Sequence, residues 1–329
     1  MNFKGKKVLV TGAGGFIGSH LVEELIGNGA EVSALIHYNS RNHWGNLEQL
    51  SPQIKKEINV LAGNVEDPYM LNKATKGQNI VFHLAALIAI PYSYDAPLSY
   101  VRTNIEGTTN VMQACLSNNV ERVIHTSTSE AYGTAIYTPI DELHPLQAQS
   151  PYSASKISAD KIAESYYLSF NLPVSTIRPF NTYGPRQSAR AVIPTIISQA
   201  IKQPEIKLGD LTPVRDLTYV KDTVRGFMKI ALSDESIGKV INVGNGKGIS
   251  IGDLANLIIK LMGVNKSIVT DSERLRPEKS EVLKLICDNS KAKILIGWEP
   301  QYSIERGLKE TIEYVTSKID DYKTDIFNK

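Results

Sequence analysis

The chain has 329 residues, 42% hydrophobic and 21% charged, with a net charge of +2. That length buries a sizeable core, and both signs of charge are spread along it, with no basic tract interleaved with aromatics, so nucleic-acid binding is not expected. The two cysteines, Cys115 and Cys287, lie far apart, and no His/Cys/Asp/Glu cluster has metal-ligand spacing, so the expectation is reduced thiols, no metal and a cytoplasmic protein.

Taken in chain order, short apolar runs alternate with amphipathic segments. "KVLVTG" predicts a strand and "GFIGSHLVEELIGNG" a helix ended by glycine. "EVSALI" and "EINVLAGNV" predict strands, "DPYMLNKATKG" a short helix and "NIVFHLAA" a strand. "VFHLAALIAI" is apolar but too short to span a membrane. A long helix over "SYVRTNIEGTTNVMQACLSNN", a strand at "RVIHTSTS", a helix from "SPYSASK" and a strand at "PVSTIRPFN" follow. This alternation predicts an α/β fold, a doubly wound parallel sheet of Rossmann type. After about residue 180, prolines punctuate shorter elements. The expected division is 1–180 for dinucleotide binding and 181–329 for a smaller α/β substrate lobe. Segments near 215–245 ("PVRDLTYVKD" and "VINVG") are expected to return to the sheet.

"TGAGGFIGSH" sets Gly12, Gly15 and Gly18 between the first strand and the first helix. In that context the glycines allow a sharp turn, close approach of backbone N–H groups to a pyrophosphate, and tight helix–strand packing. Phe16 and Ile17 belong to the same turn. At the end of the second strand no carboxylate is present for a ribose 2′-hydroxyl; His37 and Arg41 stand there, which favours NADP over NAD. Asn64 and Val65 fall at the third strand end, where an adenine ring is expected. Leu84, Ala85 and Ala86 are small and apolar, as a strand end passing under a cofactor requires. His83 is read as a strand histidine with a satisfied hydrogen bond.

Tyr152 and Lys156 sit four apart at a helix start and share a face. An ammonium beside a phenol lowers its pKa, and the phenolate can then take a proton from an alcohol while hydride leaves the carbon. The strand end "TSTSEAYG" adds Thr128, Ser129 and Glu130, hydroxyls and a carboxylate that packing does not call for.

These residues resemble the extended short-chain dehydrogenase/reductases, the nucleotide-sugar epimerase/dehydratase group. The resemblance runs through "TGAGGFIGSH", "HLAA", "TNIEGTTN", "TSTSEAYG", "YSASK", "RPFNTYGPRQ", "RDLTYVKD", "RPEKSEV" and "IGWEP". "STSEAYG" is similar to the Thr-Ser-Glu run of 4,6-dehydratases, a run that UDP-glucuronate decarboxylases also carry. "SPYSASKISADKIAESYYLSFNLPV" is most similar to N-acetylhexosamine 4,6-dehydratases of legionaminic-type pathways. The resemblance implies that Thr128 and Tyr152 act at the 4-hydroxyl and that Glu130 takes the proton from C5. Ser129 departs from the Thr-Asp-Glu pattern and leaves Glu130 with the leaving 6-hydroxyl as well. The resemblance also implies that Asn181, Arg190, Arg215 and Arg276 contact a nucleotide diphosphate and that Glu281 meets the ribose. GDP or UDP is favoured over CDP. It implies a homodimer through a four-helix bundle, for which Ile105, Val111, Met112, Ile157 and Ile162 are available. The competing functions are decarboxylation of a UDP-uronic acid, 4-epimerisation, and a non-catalytic NADP-binding sensor.

Overall fold

In the computed structural model, which describes residues 1–324 and 326, each apolar run of the first half becomes a strand, most of them buried along nearly their whole length and the one at Ile58–Ala62 partly exposed. The strands are β1 (Lys7–Thr11), β2 (Glu31–Ile36), β3 (Ile58–Ala62), β4 (Ile80–His83), β5 (Arg122–Thr126), β6 (Val174–Pro179) and β7 (Asn181–Tyr183). Six more follow: β8 (Glu205–Leu208), β9 (Val214–Tyr219), β10 (Val240–Val243), β11 (Gly248–Ser250), β12 (Ser267–Thr270) and β13 (Lys284–Leu285). The helices that matter for the site are α1 (Phe16–Gly27), α2 (Pro52–Glu57), α3 (Pro68–Thr75), α4 (Ile90–Asp95), α5 (Pro97–Tyr100), α6 (Gly107–Ser117) and α7 (Pro151–Phe170).

Seven parallel strands form one sheet in the order β10-β6-β5-β4-β1-β2-β3. The chain leaves β1 in one direction through β2 and β3, and in the other through β4, β5 and β6. A crevice therefore opens beyond the carboxyl ends of β1 and β4, the switch point where such sheets bind ligands. Val8, Leu9 and Val10 are fully buried, as a central parallel strand with helices on both faces must be.

Of the two segments expected to return to this sheet, 240–243 does so and 214–219 does not. β10 takes the edge beside β6, with Val240 opposite Thr176. Its outer side is occupied: the Asn242 N–H donates to Glu142 Oε1 at 2.7 Å and its side-chain amide to the Ile140 carbonyl at 3.1 Å. With that edge closed, β9 builds a second sheet with β11, β13 and β7. β8 and β12 form a two-stranded pair.

The long helix expected over 99–119 is one rod with a flaw. α5 runs into a π-helical turn, Val101–Glu106, before α6 resumes. Such turns often sit at functional sites, and here the turn aims Asn104 inward. Asn104 is buried; its Oδ1 accepts from Leu87 N at 2.8 Å, and its Nδ2 donates to the Leu87 carbonyl and to Ser155 Oγ, each at 2.9 Å. One amide thus ties the loop after β4 to α7.

Candidate active site

The crevice deepens into a cavity of about 1200 Å³ that runs from the α1 N-terminus, past the ends of β4 and β5, to the loop around Arg276. Its cofactor end is shaped by missing side chains. Gly12 has φ +69°, and a Cβ there would stand 2.8 Å from Ala85 N. A Cβ on Gly18 would stand 2.3 Å from the Gly12 carbonyl oxygen. Gly15 forms the N-cap of α1 and supplies no side-chain cap. The first N–H groups of α1 are therefore left facing the cavity, which Gly14, Gly15, Phe16, Ile17 and Gly18 all line. A dinucleotide pyrophosphate fits this cradle.

Beyond β2 the cavity wall is His37, Asn39, His43 and Trp44. Arg41 is not part of it. Asn39 closes the loop on itself, its Oδ1 accepting from His43 N at 2.9 Å and its Nδ2 donating to the His43 carbonyl at 2.8 Å, and Arg41 is left on the outer, exposed turn. The loop then folds over the glycine turn: Asn46 N donates to the Gly14 carbonyl at 2.9 Å. His43, Trp44 and Asn46 were missed from sequence. The Gly45–Asn46 pair was the available signal, since Gly45 takes φ +65°. Asn64 and Val65 likewise lie off the wall; Val65 is buried against Gly107 of α6.

Leu84, Ala85 and Ala86 do line the cavity, and His83 below them is doubly bonded. Thr108 Oγ1 gives its proton to the Asn104 carbonyl at 2.6 Å, so His83 Nε2 must donate to Thr108 at 3.0 Å. His83 Nδ1 then accepts from Thr11 Oγ1 at 2.8 Å, and Thr11 in turn accepts from Leu84 N and Ala85 N, each at 3.1 Å. Burial holds this imidazole neutral, well below its ordinary pKa.

The reactive centre is assembled by two helix-start devices. Thr128 is extended and caps the short turn Ser129–Tyr132, its Oγ1 accepting from Glu130 N at 3.2 Å. Ser150 caps α7 through a reciprocal pair with Ser153, and Pro151 at the first helical position delivers Tyr152 to the cavity. Thr128, Ser129, Glu130, Tyr152 and Lys156 are all buried and all line the cavity. Burial raises the Tyr152 phenol well above its ordinary value; the Thr128 hydroxyl bonded to it opposes this, and the Glu130 charge adds to it. Lys156 shares the cavity with Tyr152, as the four-residue spacing predicts. It reaches back to β5, with Nζ 2.6 Å from the Thr126 carbonyl. Burial lowers its pKa to about 8, against the charge of Asp160.

At the far end, Asn181, Arg190, Arg215, Arg276 and Glu281 line the same cavity. Arg215 Nη2 donates to Glu281 Oε1 at 3.1 Å, and Arg276 Nη1 reaches the same oxygen at 3.4 Å. Burial lowers the Arg215 pKa, and the Glu130 charge is the first to oppose that. Thr126 Oγ1, Asn181 Oδ1 and Gln187 Oε1, all on the wall, are buried without a hydrogen-bonding partner, leaving polar capacity at both ends for a ligand.

The chain is an extended short-chain dehydrogenase/reductase of the nucleotide-sugar epimerase/dehydratase group. Residues 9–311 match the family model described as GDP-mannose 4,6 dehydratase, and the chain belongs to that family of NAD-dependent dehydratases, epimerases and decarboxylases. It is 32% identical to a UDP-N-acetyl-alpha-D-glucosaminuronate decarboxylase of Bacillus cytotoxicus, over 94% of this chain and 97% of the relative. The structure of a UDP-N-acetylglucosamine 4-epimerase from Methanobrevibacter ruminantium, in complex with UDP-N-acetylmuramic acid, superposes with a TM-score of 0.87 at 32% identity, covering 96% of this chain and 99% of that one. The dTDP-glucose 4,6-dehydratase DesIV of Streptomyces venezuelae, solved with NAD bound, gives 0.86 at 27% identity, covering 96% and 99%.

Proposed function

We propose that the chain is a nucleotide-diphosphate-sugar 4,6-dehydratase, acting on a GDP- or UDP-linked N-acetylhexosamine to give a 4-keto-6-deoxy sugar. The observation that carries this reading is Glu130, a buried carboxylate in the same cavity as Thr128, Tyr152 and Lys156. Transient oxidation at C4 needs only a phenol, an ammonium and a hydroxyl. A carboxylate beside them is needed when elimination follows.

The glycine turn, Leu84–Ala86, Tyr152 and Lys156 would hold the dinucleotide, which supplies a hydride acceptor that takes hydrogen from C4 and returns it to C6. Thr128 hydrogen-bonds the sugar 4-hydroxyl, and Tyr152 removes its proton, so C4 becomes a ketone. That ketone acidifies C5–H, and Glu130 takes the C5 proton. The C6 hydroxyl leaves as water, protonated through Glu130 with Ser129 orienting it. As hydrogen returns to C6, C5 regains a proton from solvent through Glu130, and Tyr152 releases the proton it took, so the net change is loss of one water. Asn181, Arg190, Arg215 and Arg276 bind the diphosphate and Glu281 faces the ribose.

NADP is the preferred cofactor in this reading. Its support is that His37, Asn39 and His43 form the wall past β2 and none is a carboxylate. The chain also pairs as a homodimer through α5–α6 and α7. Of the five apolar positions expected to serve this, Val111 and Met112 are fully buried in the chain's own core. Leu98, Val101, Leu168 and Phe170 are exposed instead and supply the contact.

A second reading, decarboxylation of a UDP-uronic acid, is favoured by the position of Arg215, a cation whose charge acts on Glu130, as a C6 carboxylate would require. One screen separates the two. The chain is incubated with GDP- and UDP-linked hexosamines and with UDP-uronic acids, and products are weighed by mass spectrometry. Loss of water from a hexosamine supports the dehydratase; release of carbon dioxide from a uronic acid, with no loss of water elsewhere, overturns it.

A further inference from the structure

Behind Lys156, three buried polar side chains meet at one buried carboxylate. Asp160 lies one turn beyond Lys156 on α7, so the two leave the same helix face. Asp160 Oδ1 accepts from His125 Nε2 at 2.9 Å. Its Oδ2 accepts from Ser127 Oγ at 2.5 Å and from Arg178 Nη2 at 2.7 Å. Arg178 Nε also reaches Ser127 Oγ at 3.1 Å. All four side chains are buried. His125 Nδ1 has no hydrogen-bonding partner, so the ring is neutral with its proton on Nε2; a charged ring would bury a second N–H unpaired.

The network brackets a single peptide. His125 and Ser127 flank Thr126, whose carbonyl oxygen holds Lys156 Nζ. Alternate residues of an extended chain share a face, so Asp160 grips the chain on both sides of that carbonyl. The next residues are Thr128, Ser129 and Glu130. Stability alone is a poor reason for such a cluster, because replacing a buried ion pair by apolar side chains is often neutral or stabilising. Burial raises the Asp160 carboxyl, but the His125 hydrogen bond and the Arg178 guanidinium more than offset this and hold it ionised.

We propose that Asp160 is a positioning residue that, through His125 and Ser127, aims the Thr126 carbonyl at Lys156 and keeps the Lys156 ammonium charged for Tyr152. The role assigned to Tyr152 rests on the reaction proposed above; the effect on Lys156 does not. The charged and titratable groups around Lys156 are Asp160 and Tyr152 from α7, His83 and His125 from β4 and β5, Arg178 from β6 and Glu130 from the turn after β5. Burial keeps both histidines neutral. Asp160 is therefore the anion placed to offset the burial of Lys156.

The test is an NMR titration of the full chain labelled at lysine ¹³Cε, with the Lys156 signal assigned by its loss in Lys156→Met. Asp160→Asn should lower the Lys156 midpoint by roughly one pH unit or more, the usual effect of removing a close opposite charge. Asp160→Glu should restore it towards the wild-type value, which a purely structural defect would not allow. Should Asp160→Asn fail to fold, Asp160→Asn combined with Arg178→Met leaves no unpaired guanidinium and should show a smaller fall in the same direction, since a cation is lost with the anion. An unchanged midpoint in either folded variant overturns the proposal. The titration needs no substrate: a fallen midpoint in a chain that turns over no nucleotide sugar would sink the reaction and leave the role of Asp160 standing.

Discussion

The two ends of the cavity are built by different means. At the cofactor end the shape comes from backbone, within seven residues: Gly12 turns, Gly15 leaves α1 uncapped and Gly18 lets the helix lie against Gly12. At the substrate end the shape comes from side chains brought together over long separations. Arg215 and Glu281 are 66 residues apart, and Gln149 donates to the Lys279 carbonyl across 130. Tyr94 and Ser280 pair at 2.5 Å across 186. A backbone cradle has no slack, so a single Cβ should destroy it. A set of charged clamps should weaken stepwise as its members are removed.

The largest effect is therefore expected from Gly18→Val, whose Cβ meets the Gly12 carbonyl oxygen. This variant should bind no cofactor. The check is fluorescence: Trp44 lines the cavity while Trp298, the other tryptophan, is fully buried, so quenching reports the cofactor end. Quenching as strong as in wild type would break the comparison.

Next come the reactive groups between the two ends. Glu130→Gln should lose turnover by roughly 10²–10⁴-fold, the usual contribution of a positioned acid–base group, while absorbance at the reduced-nicotinamide band still appears on mixing with substrate. Tyr152→Phe should lose turnover by a similar factor and show no such absorbance. If both variants behave alike, the division of labour between phenol and carboxylate is wrong.

A smaller loss is expected from Arg215→Met. Arg276 still reaches Glu281, so the substrate end keeps part of its clamp. Nucleotide-sugar affinity should fall about 10- to 100-fold, the equivalent of one charge-assisted contact, with cofactor affinity unchanged in calorimetry. The pH profile sharpens the picture further. In the proposed reaction Lys156 acts protonated, and burial lowers its pKa to about 8, so the rate should decline on the alkaline side from that pH upward. The smallest effect is expected from Arg41→Ala, an exposed residue off the cavity wall: NADP affinity should move by no more than about 0.5 kcal/mol.

What could be read from the sequence follows the same division. The glycine turn, the parallel strands and the Tyr152–Lys156 pair were legible because each depends on neighbours within a few residues and on periodicity. The loop after β2 was not. Its composition suggested a cation at position 41, whereas Asn39 hydrogen bonds turn His43 and Trp44 inward. The hydrogen bond made by Lys156 was not legible for a related reason: helix spacing gives a shared face, but the Thr126 carbonyl that captures the ammonium comes from a different element. Asp160 drew no notice, because an aspartate one turn past a lysine on a helix reads as an exposed pair until β5 and β6 are seen to bury it. β9 looked like a further strand of the main sheet, and only the occupied edge of β10 explains why it pairs elsewhere.

The most direct test of the proposed chemistry follows one hydrogen. A nucleotide-linked N-acetylhexosamine carrying deuterium at C4 is converted in ordinary water, and the product is examined by NMR and mass spectrometry. Hydride taken from C4 and returned within one active site predicts a 4-keto product with the deuterium at C6 and no consumption of added reduced nicotinamide. A product that has lost the label to solvent, or a C4 epimer that keeps it at C4, would contradict the account.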